Sequence, residues 1–438
     1  MGLDRAIAVL SLALGAAALA PAARAYDLDP GFGSHAGATF RGDEVEDPDF
    51  DLPDDFFLAV FSYRHPVEWE RAWRDAATGY RITIGSTRTD EFYLEQEARL
   101  EARPFDWLAL RYRFVHDQDN DSRYFRNLVE GDFHLYRGLF VGLSGELSPR
   151  KEEIDVGIGA GLRDEATGFH VRADVILVDF VAGDKGTRRR YERDARTYIV
   201  RAETPIGGRV RAGLYAEIAP PFEVALGDDE DETDVRFLME KYRYGGFVHA
   251  FPGRPGEEAE VSVLFQGEHT RKVRRQGPDG LDDPDLRDED VDRDFFDAEV
   301  GAALPVVARR PSDRLLLGAN VVYLREDRDY IRPEDDPDDR QIDRLEVYGK
   351  LGWRLRLPWR PLARDLFLEP ALFSGYAHDA DRRPGLPGRT DRDCGLRAKG
   401  NLALWLQLAA GSAAYFNLTY RFDEPEFGGG NVQVILTF

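Results

Sequence analysis

Apolar and polar side chains alternate along most of this chain, in segments of about ten residues that begin near residue 79. In the segment 209–218, every second residue from Val210 to Ile218 is apolar, whereas Arg209, Arg211 and Glu217 lie on the other face. A strict period of two is typical of a β-strand whose two faces meet different surroundings. The pattern therefore predicts an all-β protein.

The alternating segments number about eighteen, and sixteen is the alternative count. The predicted strands are 79–86, 89–102, 106–117, 124–137, 139–148, 152–163, 168–180, 195–204, 208–218, 234–250, 257–270, 294–305, 313–325, 342–357, 364–378, 391–409, 412–422 and 431–438. Both counts are even, so both ends of the strand series lie on one side of the sheet, as a bacterial single-chain barrel requires.

Three features favour a transmembrane antiparallel up-and-down β-barrel over a water-soluble sandwich. The polar faces carry charged side chains in mid-strand, and the apolar faces are smooth rows of Leu, Val, Ala, Gly and aromatic residues. Short turns, such as 103–106 and 164–168, alternate with longer polar connections, which is typical of outer-membrane barrels. The predicted long loops are 183–194, 219–233, 271–293, 326–341, 379–390 and 423–430, all on the outer side if the C-terminus is periplasmic.

The last strand carries a family resemblance. Phe438 is the final residue, and Val432, Val434 and Leu436 share its face. This strand resembles the assembly signal of outer-membrane proteins, which implies insertion by the barrel-assembly machinery. In architecture, the region 79–438 resembles porins and larger channel barrels such as alginate exporters. The resemblance implies a place in the cell outer membrane, among its lipid and lipopolysaccharide.

The N-terminal region has the pattern of a signal peptide, which predicts that the protein is exported. Arg5 precedes an apolar run at 6–20, and Ala23-Arg24-Ala25 supplies a small-x-small cleavage pattern, so 1–25 reads as a cleaved signal peptide. The sequence of 26–78 predicts a short segment of irregular and helical structure. Two interpretations of this segment stay open, a periplasmic plug or a tether at the rim.

Composition narrows the function further. The formal net charge is −23, charged residues make up 32% of the chain, and mean hydropathy is −0.46. An acidic chain lacks the basic footprint that nucleic-acid binding needs. The single cysteine, Cys394, excludes an intramolecular disulfide.

A barrel of this width predicts a water-filled lumen, since side chains alone do not fill it. The candidate pore-lining residues are the charged members of the polar faces: Arg111, Arg113, Glu130, Asp132, Arg172, Asp174, Arg201, Glu203, Arg211, Glu258, Glu260, Glu346, Lys350, Arg354, Arg356, Arg397 and Lys399. They either set solute preference or only pair across strands and solvate the wall. Glutamates near 91–101 and 258–268, opposed to basic walls at 344–356 and 397–399, suggest a transverse field. On that hypothesis, neutralising Arg354 and Arg356 shifts selectivity toward cations.

Motifs for catalysis and cofactors are missing from the sequence. It has no HExxH, no G-x-S-x-G and no phosphate-binding glycine loop, so an enzyme, a cofactor and a specific metal site are not expected. His134 beside Asp132 is the one pairing that a catalytic hypothesis would use. Acidic loop clusters, such as 228–232 and 334–339, either bridge surface divalent cations or are solvated loop tips.

These observations predict an outer-membrane channel for small or charged solutes, with a charged water-filled lumen. Two alternatives stay open. One is an export channel for an anionic polymer such as a polysaccharide, and the other is a non-conducting structural or assembly barrel.

Overall fold

The structure, a computed structural model, describes the strands and their immediate neighbours. The described residues are 78–86, 92–118, 123–146, 154–164, 167–181, 189–191, 196–206, 209–226, 235–252, 259–277, 288–307, 310–330, 339–358, 365–383, 390–409, 412–423 and 425–438. The predicted signal peptide (1–25) and nearly all of the predicted N-terminal segment (26–78) lie outside them. Among the described residues, no helix is long and apolar enough to cross a membrane.

The described residues form nineteen β-strands. They are β1 (Gly79–Ser86), β2 (Phe92–Phe105), β3 (Leu108–Gln118), β4 (Arg123–Tyr136), β5 (Leu139–Glu146), β6 (Ile154–Asp164), β7 (Phe169–Val181), β8 (Arg189–Tyr191), β9 (Arg196–Ile206), β10 (Val210–Leu226), β11 (Val235–Ala250), β12 (Glu260–Gln276), β13 (Glu289–Val307), β14 (Arg310–Tyr330), β15 (Arg340–Leu357), β16 (Asp365–Arg382), β17 (Thr390–Ala409), β18 (Ser412–Arg421) and β19 (Glu426–Thr437).

The strands close into one ring. Each barrel strand pairs antiparallel with its neighbours in the chain, and β1 pairs with both β2 and β19. Only β8 stands outside this order, as a three-residue strand that pairs with the end of β10. All strands except β8 therefore make a closed, eighteen-stranded, up-and-down barrel. The predicted fold class and strand count are confirmed.

Closure fixes two ends of the barrel. Gly79 of β1 lies opposite Thr437 of β19, so the rim here called the terminal rim carries both ends of the barrel sequence. Turns at the terminal rim are often tight: Asp106 and Trp107 alone join β2 to β3. In the β4–β5 turn, Arg137 and Gly138 both have positive φ, 50° and 82°. A side chain on Gly138 would also collide with the Arg163 carbonyl oxygen. Such a turn matches the twist of the strands that it joins.

The opposite rim, here called the far rim, collects the predicted long loops, but several of them are shorter than predicted. Strands β10, β12, β14 and β16 continue to Leu226, Gln276, Tyr330 and Arg382, through residues that the sequence pattern assigned to loops. The prediction failed there because apolar alternation ends before the strand does. Backbone pairing continues past that point, since it needs no apolar side chain.

The two faces of the strands meet different surroundings. One face is exposed and apolar over a continuous belt, here called the apolar band. On β13, β14 and β15 the band consists of Phe296, Ala298, Val300, Ala302, Leu304 and Val306, then Leu315, Leu317, Ala319, Val321 and Tyr323, then Leu345, Val347, Gly349, Leu351 and Trp353. On strands tilted by about 40°, the ten residue steps of the β13 row rise about 25 Å, and the eight steps of the β14 and β15 rows rise about 20 Å. The band therefore matches the height of a membrane's hydrocarbon layer.

The other face points into the barrel, and it is mostly polar. Apolar clusters interrupt it in a few places, chiefly near the rims. One lies at the far rim of β10 and β11 and contains Phe222, Phe237 and Met239. Another lies toward the terminal rim of β16–β19 and contains Phe367 and Trp405, whose rings stack 4.2 Å apart. These clusters pack the inner wall locally, whereas charged side chains occupy most of the remainder.

Candidate functional site

The predicted pore-lining residues lie on the inner face of the barrel wherever the structure describes them. These are Arg111, Arg113, Glu130, Asp132, Arg172, Asp174, Arg201, Glu203, Arg211, Glu260, Glu346, Lys350, Arg354, Arg356, Arg397 and Lys399. Glu258 lies outside the described residues. Parity decides the placement, because each of these residues alternates with an exposed apolar residue of the band.

On the wall of β1–β3, one described glutamate of the predicted acidic row is surrounded by arginines. Glu97 is buried and contacts three arginines, Arg81 at 2.9 Å, Arg99 at 2.7 Å and Arg113 at 2.7 Å. Arg81 and Arg113 come from the two flanking strands. The alternation within one strand does not show which residues of neighbouring strands meet on the inner face. The charge of Glu97 is therefore compensated locally, and the transverse field stays a prediction.

A larger cluster spans β3, β4 and β7 and is here called the arginine–carboxylate network. Asp132 accepts hydrogen bonds from Arg172 at 2.7 Å and lies 2.7 Å from Arg111. Arg172 also binds Asp174 at 2.8 Å, and Arg111 binds Glu130 at 3.1 Å. Arg172 and Asp132 each expose only 1% of the side chain. Buried charges at this density are stable only when paired and hydrogen-bonded.

Glycines make room for the network. Gly142 of β5 and Gly159 of β6 face inward beneath it, and a β-carbon on Gly142 would lie 2.7 Å from Asp132 and 2.9 Å from Arg172. A β-carbon on Gly159 would lie 2.0 Å from an Asp174 oxygen. The alternating glycines of β6, at 157, 159 and 161, were the sequence signal for this surface. They mark close approach of neighbouring side chains, which the pattern of charged residues alone does not indicate.

The network is one part of a longer series of inward pairs. Arg201 of β9 reaches Glu130 at 3.8 Å, and Arg211 of β10 binds Glu203 of β9. Farther along, Arg243 of β11 binds Glu268 of β12 at 2.7 Å. Arg243 was not among the predicted residues, although its position in the alternation of β11 places it on the inner face.

Aromatic rings and cations occupy the wall of β15–β17. Phe373 is buried, and the ammonium groups of Lys350 and Lys399 lie 5.4 Å and 5.2 Å from its ring centre. Arg354 lies 5.0 Å from the ring centre of Trp405 and binds Glu369. No carboxylate within the described part of the chain lies at ion-pair distance from Lys350. Arg354 and Lys399 are buried, so Lys350 is the cation of this group that is partly exposed on the inner face.

The remaining predicted residues lie at separate points of the inner face. Arg356 binds Asp365 toward the terminal rim, and Arg397 lies 3.6 Å from Asp423 toward the far rim. Glu260 is nearly buried on β12, and Glu346 is partly buried on β15.

The structure does not couple His134 to Asp132 as a catalytic pair. The Asp132 carboxylate contacts Arg111 and Arg172, and in the described residues no hydrogen bond joins it to His134. His134 instead packs its ring against Phe140, with the ring centres 5.8 Å apart.

The residues of the predicted assembly signal lie on the outer face of β19. Val432 and Phe438 are 44% and 56% exposed, and Val434 and Leu436 lie between them on the same face. The backbone amide of Phe438 donates to the Thr78 carbonyl at 2.9 Å, which extends the β1–β19 seam to the last residue.

The fold and the inner face together define a large closed antiparallel β-barrel with an apolar outer belt and a charged interior. Among solved structures, the chain is similar to OprD from Pseudomonas aeruginosa, at 9% identity over 83% of this chain and 95% of that one, with a TM-score of 0.40. It is also similar to OccK3 (OpdO) from the same organism, at 11% identity over 82% and 94%, with a TM-score of 0.37.

CdiB from Acinetobacter baumannii is a further similar structure, at 9% identity and a TM-score of 0.39. The match covers 83% of this chain and 60% of CdiB. No family model matches the sequence, and no curated protein matches it.

Proposed function

We propose that this protein is an outer-membrane channel through which small or charged solutes pass, with the far rim outside the cell. One observation carries the proposal: a closed ring of eighteen strands exposes an apolar band outward and directs charged side chains inward. Closure satisfies every backbone group at membrane depth, and an interior of this width holds water. The inner residues named above then line the path.

The local pairing of charges supports small solutes over the export of an anionic polymer. Arg111, Arg113, Arg172 and Arg211 are each bound to a carboxylate, so they present little net positive charge. Lys350 has no carboxylate at ion-pair distance among the described residues, and with the aromatic rings around it this lysine remains as a limited basic surface. Such a surface biases the selectivity for small ions. A polyanion would need positive charge along its whole path.

A channel function needs no catalytic residues, and the contacts of His134 agree with that. The carboxylate nearest in sequence to His134 is held by two arginines, so the pairing gives no general base. The proposed channel function requires no cofactor.

Planar-bilayer conductance tests the proposal. We expect the purified protein to give steady open-channel currents in KCl, and Lys350→Gln to shift the reversal potential under a KCl gradient toward cation preference. The reason is that this substitution removes a positive charge that no described carboxylate offsets at ion-pair distance. Arg354→Gln should shift it in the same direction, because Glu369 then loses its cationic partner and keeps only the hydrogen bond from Trp405.

Arg271→Gln is the matched control, since Arg271 lies on the outer face and binds Asp290. It should leave selectivity unchanged. A protein that conducts no current would contradict the channel and favour the structural barrel. If Lys350→Gln leaves the ion selectivity unchanged, the β15–β17 wall does not line the conducting path.

A further inference from the structure

The outer face changes character between the apolar band and the far rim. On β11–β16 the outward residues there are charged, and this surface is here called the collar. It includes Glu240, His269, Arg271, Asp290, Asp292, Asp294, Arg325, Asp327, Asp343 and Arg382. Most of the collar consists of ion pairs between opposite charges, such as Arg325 with Asp327 at 2.6 Å. One part of it does not follow that arrangement.

In that part, a histidine faces two aspartates. His269 of β12 lies directly opposite Asp294 of β13, and Asp292 is the next outward residue on β13. The His269 Nδ1 atom lies 2.9 Å from an Asp294 oxygen and 3.7 Å from an Asp292 oxygen. The three ligand atoms all lie within 4.8 Å of one another. One divalent ion can therefore contact all three after small side-chain rotations.

The nearest arginine acts on Asp292 electrostatically but forms its ion pair with another carboxylate. Arg271 lies opposite Asp292 in the strand register, yet its guanidinium bonds Asp290, through Nε at 3.2 Å and a terminal nitrogen at 2.8 Å. In the described part of the chain, no lysine or arginine lies at ion-pair distance from Asp292 or Asp294. Two adjacent carboxylates without a fixed cation favour the binding of one.

The histidine ring is held so that its two nitrogens face different groups. Tyr242 stacks on it, with the ring centres 5.8 Å apart and the planes 26° apart. The Nε2 atom faces Glu240, whose oxygen lies 4.0 Å away. Metal-bound histidines usually direct their second ring nitrogen to a carboxylate, which fixes the tautomer. Here Nδ1 faces Asp292 and Asp294, and the Glu240 oxygen lies on the Nε2 side of the ring, beyond hydrogen-bond distance.

We propose that His269, Asp292 and Asp294 form a binding site for a divalent transition-metal ion such as Zn²⁺ on the outer wall of the barrel. His269 Nδ1 supplies a nitrogen ligand, and each aspartate supplies one oxygen. Imidazole with carboxylates suits zinc, whereas Ca²⁺ prefers six to eight oxygens. Three protein ligands leave the outward coordination position open to water or to a phosphate oxygen from the surroundings.

Zinc titration of the full-length protein in detergent micelles, after treatment with EDTA, tests this site. Isothermal titration calorimetry should show one Zn²⁺ bound at this site, tighter than Ca²⁺ by at least tenfold. His269→Gln and Asp294→Asn should each weaken Zn²⁺ binding by at least tenfold, because each removes one of three ligands. Heat-modifiable migration on denaturing gels confirms that every variant is a folded barrel.

Asp327→Asn is the control, because Asp327 lies on the same collar but bonds Arg325. It should leave zinc affinity unchanged. The site is disproved if the wild-type protein binds no Zn²⁺, if His269→Gln binds it as tightly as wild type, or if Ca²⁺ binds equally well. Bilayer conductance is measured without zinc, so failure of the metal site and failure of the channel are distinguishable.

Discussion

Single residues in the interior show how this barrel tolerates buried charge. Arg172 is almost wholly buried, and it stays charged at low cost because Asp132 and Asp174 both accept its hydrogen bonds. Its guanidinium can lie flat against the wall only because Gly142 has no side chain there. Small and charged residues on neighbouring strands therefore act as one unit. Substituting either should disturb the other.

The two kinds of arginine pair in this molecule predict different stabilities. Arg172→Gln leaves two buried carboxylates short of a partner and should lower the free energy of unfolding by about 3–5 kcal/mol. Arg271→Gln breaks an exposed pair with Asp290 and should cost at most about 1 kcal/mol. Urea unfolding of both variants in the same detergent or lipid system measures the difference. Equal losses would show that the interior network is as solvated as the outer face.

At the scale of single strands, the outward face defines how each one meets the membrane. On β15 the row from Leu345 to Trp353 is apolar throughout, whereas on β11 Leu238 lies between the charged Arg236 and Glu240. The two strands have similar lengths, yet they enter different surroundings at these positions. Strand length alone therefore does not give the height of the apolar band.

A matched pair of substitutions tests the position of the band. Leu351→Arg places a charge in the middle of it and should destabilise the folded barrel in lipid bilayers by about 2–4 kcal/mol. Leu238→Arg makes the same chemical change beyond the band and should cost about 0–1 kcal/mol. Both side chains are exposed, at 54% and 41%, so loss of packing does not distinguish them. If both variants unfold at the same urea concentration, the band is misplaced.

For the whole molecule, one seam completes the barrel. Strands β1 and β19 lie at opposite ends of the barrel sequence and pair over eight residues. Thr83 faces Gln433 across this seam, and the Gln433 amide donates to the Thr83 hydroxyl at 2.9 Å. The seam removes the last unpaired edges, which a barrel in hydrocarbon could not leave open.

Cross-linking tests closure directly. In a Cys394→Ser background, Thr83→Cys with Gln433→Cys should form a disulfide on mild oxidation, because directly opposed residues have β-carbons about 5 Å apart. The product should migrate differently on a denaturing, non-reducing gel. Thr83→Cys with Asn417→Cys is the control, since β19 separates Asn417 from β1 and a two-residue offset along the strand places the two residues about 11–12 Å apart. Cross-linking of the control pair alone would contradict the described register.

Much of the barrel could be predicted from the sequence because strand alternation is a local property. The strand number, the apolar outward rows such as the one around Leu351, and the inward parity of residues such as Arg172 all follow from a period of two. The far-rim strand ends were wrong where charge replaced the apolar row, as in β12 beyond Thr270. A charged residue beyond the apolar row can still be paired through its backbone, and the side-chain pattern does not show whether it is.

What only the tertiary structure decided is which charges meet. Glu97 lies among arginines that include two from neighbouring strands. Arg172 passes over Gly142 to reach Asp132. Lys350 lies against the ring of Phe373, whereas Arg354 binds the Glu369 carboxylate. Alternation assigns each residue a face, but its partner depends on register and on strands that are distant in sequence. The chain by itself determined a membrane barrel with a charged inner face. Folding determined that most of that charge is neutralised where it lies.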